Sequence, residues 1–383
     1  MYHYGKQYID QDDIDQVVNV LKSDYLTQGP IVDEFEKGIS SYCNVKYAVS
    51  YNSATSALHA ACYAIELQQG DLVWTSPVSF VASSNCALYL GCNVDFVDVN
   101  EATANIDVQK LSLKLEESAK VGRIPKALIL VHMAGNPCEM EDISKLASKY
   151  NFTLIEDASH ALGGEYNGKK IGNCFYSDIT VFSFHPVKMI TTGEGGMATT
   201  NSEKLNKRLK LFSSHGITKN PEEFINKSEN EPWKYEQIDL GYNYRMTDIS
   251  AALGLSQLSK LDKFVDKRNN LAKHYIAKLD PKIISQQVSL NNKSSYHLFL
   301  VRLPINIDRY NLFKKLQEKN IYPGIHYIPI YKQPFYSKFG FNEKDFPGSE
   351  AYYGSCLSLP LHFNLEEQDI DYICKTINTY IQK

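Results

Sequence analysis

The chain has 383 residues, of which 43% are hydrophobic, 12% aromatic and 22% charged, with a formal net charge of −4. Such a composition excludes a disordered chain, a collagen-like chain and a coiled coil. Near-neutral charge supplies no clustered positive field for nucleic acid or anionic lipid. The length suits about two or three domains, one of them large. Eight cysteines (Cys43, Cys62, Cys86, Cys92, Cys138, Cys174, Cys356 and Cys374) contain no Cys-x-x-Cys pair. Zinc and thioredoxin-like chemistry therefore lack a motif, and the spread suits a reduced, cytoplasmic chain. Residues 1–10 lack the apolar run of a signal peptide. No apolar run approaches the ~18 residues that a membrane helix needs.

In chain order, residues 8–22 predict a helix, capped by Asp10 or Asp12, with Ile14, Val17, Val18 and Leu21 at helical spacing. Residues 46–51 predict a strand and 55–67 an Ala-rich helix. Short apolar runs at 72–76, 94–99, 127–132, 153–156 and 179–184 predict buried strands. Helical stretches near 80–90, 110–119 and 139–150 separate several of them. That alternation predicts an α/β fold with a mostly parallel sheet. Residues 195–200 predict one more strand. From Thr247, the residues Ile249, Leu253, Leu258, Leu261, Phe264 and Val265 mark one long amphipathic helix. It bridges to a smaller α+β domain with strands at 296–303 and 322–327 and helices at 310–319 and 365–382. The expected division is a large domain over 1–250 and a small one over 251–383. Segment 218–236, polar and carrying Pro221 and Pro232, predicts a surface excursion.

Among the motifs, Gly163-Gly-Glu-Tyr-Asn-Gly168-Lys169-Lys170 is a near miss to a phosphate-binding P-loop. It has Lys170 where a Mg²⁺-holding Ser/Thr is required, and Asn167-Gly168 predicts a hairpin turn instead. No G-x-G-x-x-G follows a strand, no H-E-x-x-H occurs, and no G-x-S-x-G elbow is present. These absences speak against a Rossmann dinucleotide site, a metal site and a serine hydrolase.

Ile155-Glu-Asp157-Ala-Ser-His160 places an acid at the carboxyl end of a predicted buried strand, the end that faces the ligand crevice in open α/β sheets. Taken alone, Asp157 also reads as a helix cap or turn aspartate. Next, Phe182-Ser183-Phe-His-Pro-Val-Lys188 leads into Thr191-Thr-Gly-Glu-Gly-Gly196. Lys188 lies among apolar and small residues, unusual company for a solvated amine. A desolvated lysine loses its charge readily and attacks carbonyls, as a Schiff base with pyridoxal phosphate requires. Such a cofactor also needs an acid beside its pyridine nitrogen, and Asp157 ends the neighbouring predicted strand. A third motif, Asn52-Ser53-Ala54-Thr55-Ser56-Ala-Leu58, sits at a strand-to-helix junction. It reads as a phosphate site or as an ordinary Ser/Thr cap.

Together these motifs, with Gly241-Tyr-Asn243-Tyr-Arg-Met-Thr-Asp248 and Gly324-Ile-His326-Tyr-Ile-Pro329, resemble the DegT/DnrJ/EryC1/StrS family of pyridoxal-phosphate sugar aminotransferases. The resemblance covers essentially the whole chain. It implies fold type I, the aspartate-aminotransferase fold. It also implies Lys188 as the lysine holding the cofactor aldehyde and Asp157 as the pyridine partner. His160 falls where many members have glutamine near the ring hydroxyl. Ser183, Thr55 and the amides of Ala54 and Ser56 would serve the phosphate, and Phe80 would stack on the ring. Asn243 would reach the partner subunit's phosphate, so a homodimer with shared sites is implied. Ser53-Ala54-Thr55 departs from the commoner Ser-Gly-Thr, a small-for-small change. Further stretches, among them Lys22 to Gly29 and Ser214 to Ile217, resemble members that aminate C4 of a UDP-linked 4-keto-6-deoxy-N-acetylhexosamine for pseudaminic acid. Those members imply Tyr4, Asp24, Tyr25, Leu26, Thr27, His326, Tyr327, Ile328 and Pro329 as sugar-nucleotide contacts and L-glutamate as donor. A sibling that makes perosamine, bacillosamine or aminoarabinose products shares the same motifs. The family's dehydratases replace the lysine with histidine, and regulators that keep only the fold lose these groups; here all are retained.

Overall fold

The computed structural model describes residues 1–226 and 231–382. The middle of the expected 218–236 excursion, residues 227–230, lies outside the described residues. A two-residue strand β1 (Tyr2–His3) precedes α1 (Gln11–Leu21), α2 (Pro30–Cys43), β2 (Tyr47–Tyr51) and α3 (Ala54–Ala64). Then come β3 (Leu72–Thr75), α4 (Ala82–Leu88), β4 (Asn93–Phe96), α5 (Val108–Lys120), β5 (Ala127–Val131), α6 (Met140–Tyr150) and β6 (Thr153–Asp157). A hairpin, β7 (Glu165–Tyr166) and β8 (Lys169–Lys170), leads to β9 (Ile179–Ser183), β10 (Gly196–Thr200) and α7 (Glu203–Ser213). Asn167 and Gly168 form its turn with φ of 48° and 73°, so the hairpin reading holds over the P-loop.

The main sheet has seven strands in the order β2-β10-β9-β6-β5-β3-β4. All neighbours are parallel except β10, which runs against both β2 and β9. Apolar clusters cover both faces: Leu58, Ala61, Phe212 and Ile129 on one, and Leu111, Leu115, Leu128 and Ile143 on the other. The carboxyl ends of the parallel strands therefore open at one edge, which is where such sheets bind ligands.

Three helices escaped the sequence reading: α2, α7 and one over Pro347–Ser355. Along α2, Phe35, Ile39 and Cys43 are buried at a spacing of four, and Pro30 opens the first turn. In α7, Leu209 and Phe212 are the buried anchors. Segment 218–236 forms β11 (Ile217–Thr218) and β12 (Glu236–Gln237) around its outer part. The expected single helix from Thr247 is two, α8 (Asp248–Leu258) and α9 (Leu261–Lys278). The break at Ser259–Lys260 lets the Lys260 ammonium turn onto Asp13 at 3.0 Å and onto Asp10. Before the break, Gly254 allows the close approach of Phe35, since a Cβ there would meet its ring at 2.6 Å. Beyond α9 come β13 (Ile284–Ser285), β14 (Asn292–Lys293), β15 (Phe299–Arg302), α10 (Arg309–Glu318) and β16 (Ile321–Tyr322). The chain ends with α11 (Pro347–Ser355), β17 (Cys356–Leu359) and α12 (Glu367–Ile381). The strand expected at 322–327 stops at Tyr322, because Pro323 has no N–H for a ladder. Beyond it Gly324 makes an isolated antiparallel bridge to Ser358 in the C-terminal sheet.

The ends of the chain are tied together. β1 pairs in parallel with β16, and the His3 and Tyr322 rings stack at 4.9 Å. Buried Asp248 accepts hydrogen bonds from the amides of Gly29 (2.8 Å), Ile31 (3.0 Å) and Val32 (3.4 Å), capping α2 from 219 residues away. Replacing it orphans amides at a helix N-terminus. Asp248→Ala should lower stability by about 2 kcal/mol, read as a lower urea midpoint at an unchanged slope.

Candidate active site

At the strand ends the structure encloses a cavity of about 400 Å³. Asp157, the last residue of β6, is 5% exposed on its floor. Its carboxylate accepts from Ser83 Oγ (2.6 Å), Ser159 Oγ (2.6 Å) and the Ser159 amide (3.1 Å). Ser79 lies just before α4, and its hydroxyl is 2.7 Å from that of Ser83. Neither serine stood out in the sequence. Ser79 lies in the bend that leads into α4 and Ser83 in its first turn, so the chain's entry into the helix brings them together.

Lys188 lies in the loop between β9 and β10. That loop folds back because the Lys188 amide bonds to the His185 carbonyl and the Thr192 amide to the Phe184 carbonyl. Burial pulls the ammonium down to about 8, and the Asp157 carboxylate only partly opposes it. No ion pair joins the two among the described residues, so the amine stays available.

The first turn of α3 meets the same cavity. Ser53 caps it by accepting from the Ser56 amide at 3.1 Å, and Ser56 Oγ donates to Asn52 at 2.6 Å. Ser56 is thereby engaged and does not line the cavity, whereas Ser53, Ala54 and Thr55 do. The Ala54 and Thr55 amides lie ahead of the first intrahelical bond and are free for an anion. Gly196 runs against this turn; a Cβ there would meet the Ala54 nitrogen at 2.5 Å.

Of the other expected residues, Tyr4, Phe80, His160, Ser183, His326 and Tyr327 line the cavity. Phe80 is 58% exposed, an aromatic face turned to the opening. Asn243 does not line it; it is exposed, bridged to Ser214. Asp24, Tyr25, Leu26 and Thr27 form an exposed turn bridged to Thr247, also away from this chain's cavity. Ile328 points outward and Pro329 is buried outside it. Glu194, His185, Val187 and His297 line the cavity in addition.

Three histidines stand on one side. The His160 ring accepts from the Ala134 amide at Nδ1 (3.2 Å) and meets Tyr327 Oη at Nε2 (3.2 Å). His326 Nδ1 meets Ser358 Oγ at 2.7 Å. Burial first, then the Lys188 charge, pushes His160 and His297 well below the usual imidazole range and His326 to about 4. All three are neutral at physiological pH, so they add no positive charge beside the amine.

An acid, a desolvated lysine and an anion cradle at the strand ends fit pyridoxal phosphate. Fold and site define a pyridoxal-phosphate-dependent sugar aminotransferase of fold type I. The chain belongs to the DegT/DnrJ/EryC1/StrS aminotransferase family, whose profile matches residues 7–378. It is 39% identical to the UDP-4-amino-4,6-dideoxy-N-acetyl-beta-L-altrosamine transaminase of Campylobacter jejuni, covering 100% of this chain and 98% of that one. It is 32% identical to GDP-perosamine synthase of Caulobacter vibrioides, over 97% and 95% of the two chains. Among solved structures, Helicobacter pylori PseC, an aminotransferase involved in the biosynthesis of pseudoaminic acid, matches with a TM-score of 0.89. That pair is 32% identical and covers 100% of this chain and 99% of that one.

Among the described residues, no helix is long and apolar enough to cross a membrane. No group of three or more His, Cys, Asp or Glu residues is placed to hold a metal ion.

The lowered lysine has a kinetic consequence. Only the neutral amine attacks an aldehyde, so cofactor capture by the cofactor-free protein should rise about tenfold per pH unit below 8 and level off above it. A solvated lysine would keep rising toward pH 10.5; stopped-flow absorbance between pH 6.5 and 9.5 separates the two.

Proposed function

We propose that the protein transfers an amino group from L-glutamate to C4 of a UDP-linked 4-keto-6-deoxy-N-acetylhexosamine. The product is UDP-4-amino-4,6-dideoxy-N-acetyl-β-L-altrosamine, a precursor of pseudaminic acid. The observation that carries the reading is the desolvated Lys188 amine facing a cavity floored by Asp157. The Campylobacter relative's name and the PseC match support the choice of sugar nucleotide.

Pyridoxal phosphate supplies an electron sink for negative charge at the amine-bearing carbon. Asp157, oriented by Ser83 and Ser159, would keep a proton on the pyridine nitrogen. The Ala54 and Thr55 amides, with the Thr55 and Ser183 hydroxyls, would hold the phosphate. Phe80 would cover the ring face and exclude water. Lys188 Nζ would hold the cofactor aldehyde, and as a free amine would take a proton from Cα of the donor and, in the second half, deliver one to C4 of the sugar. Tyr4, His326 and Tyr327 lie where the sugar nucleotide enters.

The working unit is a cytoplasmic homodimer in which Asn243 and residues 24–27 serve the partner's cavity. Their exposure away from their own cavity supports this, as do exposed Leu240 and Tyr242 beside Asn243. Sedimentation should give twice the 43.4 kDa chain mass; a monomer at micromolar concentration that still turns over sinks the shared site.

Purified protein should show a band near the visible edge that collapses with glutamate and returns with UDP-2-acetamido-2,6-dideoxy-β-L-arabino-hexos-4-ulose. Collapse followed by return only with a GDP-linked 4-keto sugar would select the perosamine-type sibling, the reading that the Caulobacter relative favours. Lys188→Ala should remove turnover, and Asp157→Asn should lower kcat by about 10²- to 10⁴-fold while the protein stays folded.

A further inference from the structure

His297 is 2% exposed and lines the cavity, with its ring 4.4 Å from that of His160. Its Nδ1 is shut off from solvent with no hydrogen-bond partner, and nothing among the described residues bonds to Nε2. Its two neighbours differ: both His160 nitrogens are engaged, and His326 is held by Ser358. A buried ring with no partner costs about 1–3 kcal/mol, so such a group marks a place where something absent from the chain completes the bond. The tautomer follows from the same geometry. A sealed, orphaned N–H is rarer than a sealed acceptor, so the proton belongs on Nε2, the nitrogen on the cavity side.

We infer that His297 is a ligand-binding residue whose Nε2–H is reserved for an oxygen atom of the group bound beside Lys188. Two sources carry such an oxygen: the ring hydroxyl of the cofactor, and a carboxylate or hydroxyl of the substrate. The inference rests on the aminotransferase reading for the second source only. Lys188, His160 and His326 are the titratable groups around this ring, and none of them is hydrogen-bonded to it. Arg268 is turned away, its Nη1 donating to the carbonyls of Tyr296, His297 and Leu361.

The test uses the holoenzyme with His297→Phe, which keeps a flat ring and removes the donor, and His297→Asn, which restores a short donor. His297→Phe should raise either the cofactor Kd or one substrate KM by about 5- to 150-fold, the loss of one such bond. His297→Asn should recover most of it. A cofactor contact also shifts the absorbance band of the substrate-free enzyme. A substrate contact leaves that band unchanged and raises the KM for glutamate or for the keto sugar. Values for band, Kd and both KM within twofold of wild type overturn the inference, whatever happens to Tm. Should His297→Phe fail to fold, ¹⁵N-histidine spectra of the wild type decide. The His297 Nε2 signal should move on adding pyridoxal phosphate or substrate, and a signal indifferent to both overturns it. Wild-type turnover is measured in parallel. Its absence sinks the function proposed above while the cofactor arm still judges His297.

Discussion

The site depends on keeping one lysine out of water. Burying an ammonium without a close counterion is unfavourable, and the chain accommodates Lys188 by lowering its proton affinity rather than by pairing it. The surroundings follow from that choice. Asp157 is held by Ser83 and Ser159 instead of closing on the amine. The adjacent histidines are buried and neutral, so they do not compete for the acid. The result is a nucleophile near neutral pH beside an acid that remains free to serve a different atom.

Holding that arrangement takes contacts far apart in the chain. Asp248, at the start of α8, caps α2 from 219 residues away in the chain, and Asp13 on α1 collects Gln257, Ser256 and Lys260 from the α8 end. Asp98 binds the amides opening α11 at 2.8 Å together with Lys110 at 2.6 Å, fixing the C-terminal strands against the sheet edge. Because β1 pairs with β16, Tyr4 is delivered to the cavity beside His326, ring to ring at 4.8 Å. The N-terminal segment and the 326–327 loop thus enter the site as one unit.

Much of this was legible in the sequence. β3, β5, β6 and β9 are continuous apolar runs because both their faces are covered, and such runs stand out without any partner. Asp157 and Ser183 could be placed at strand ends for the same reason. Other parts were missed. α2 and α7 carry their buried residues at helical spacing, Phe35, Ile39 and Cys43 in one and Leu209 and Phe212 in the other, so both were legible and were passed over. At the break between α8 and α9, Lys260 reaches residues about 250 positions earlier, a contact that no local pattern records. Cys174 and its neighbours look like scattered thiols in the sequence and prove to be small buried packing groups.

The sequence by itself determined the α/β sheet, the hairpin at Asn167-Gly168 and the motifs that carry the chemistry, since local propensity and strand-end position suffice for these. Only the tertiary structure decided that Ser83 reaches Asp157. It also decided that Asn243 and residues 24–27 face away from their own cavity and that His297 stands unpartnered within it. These depend on how elements remote in the chain come together, which exists only once the apolar faces have packed.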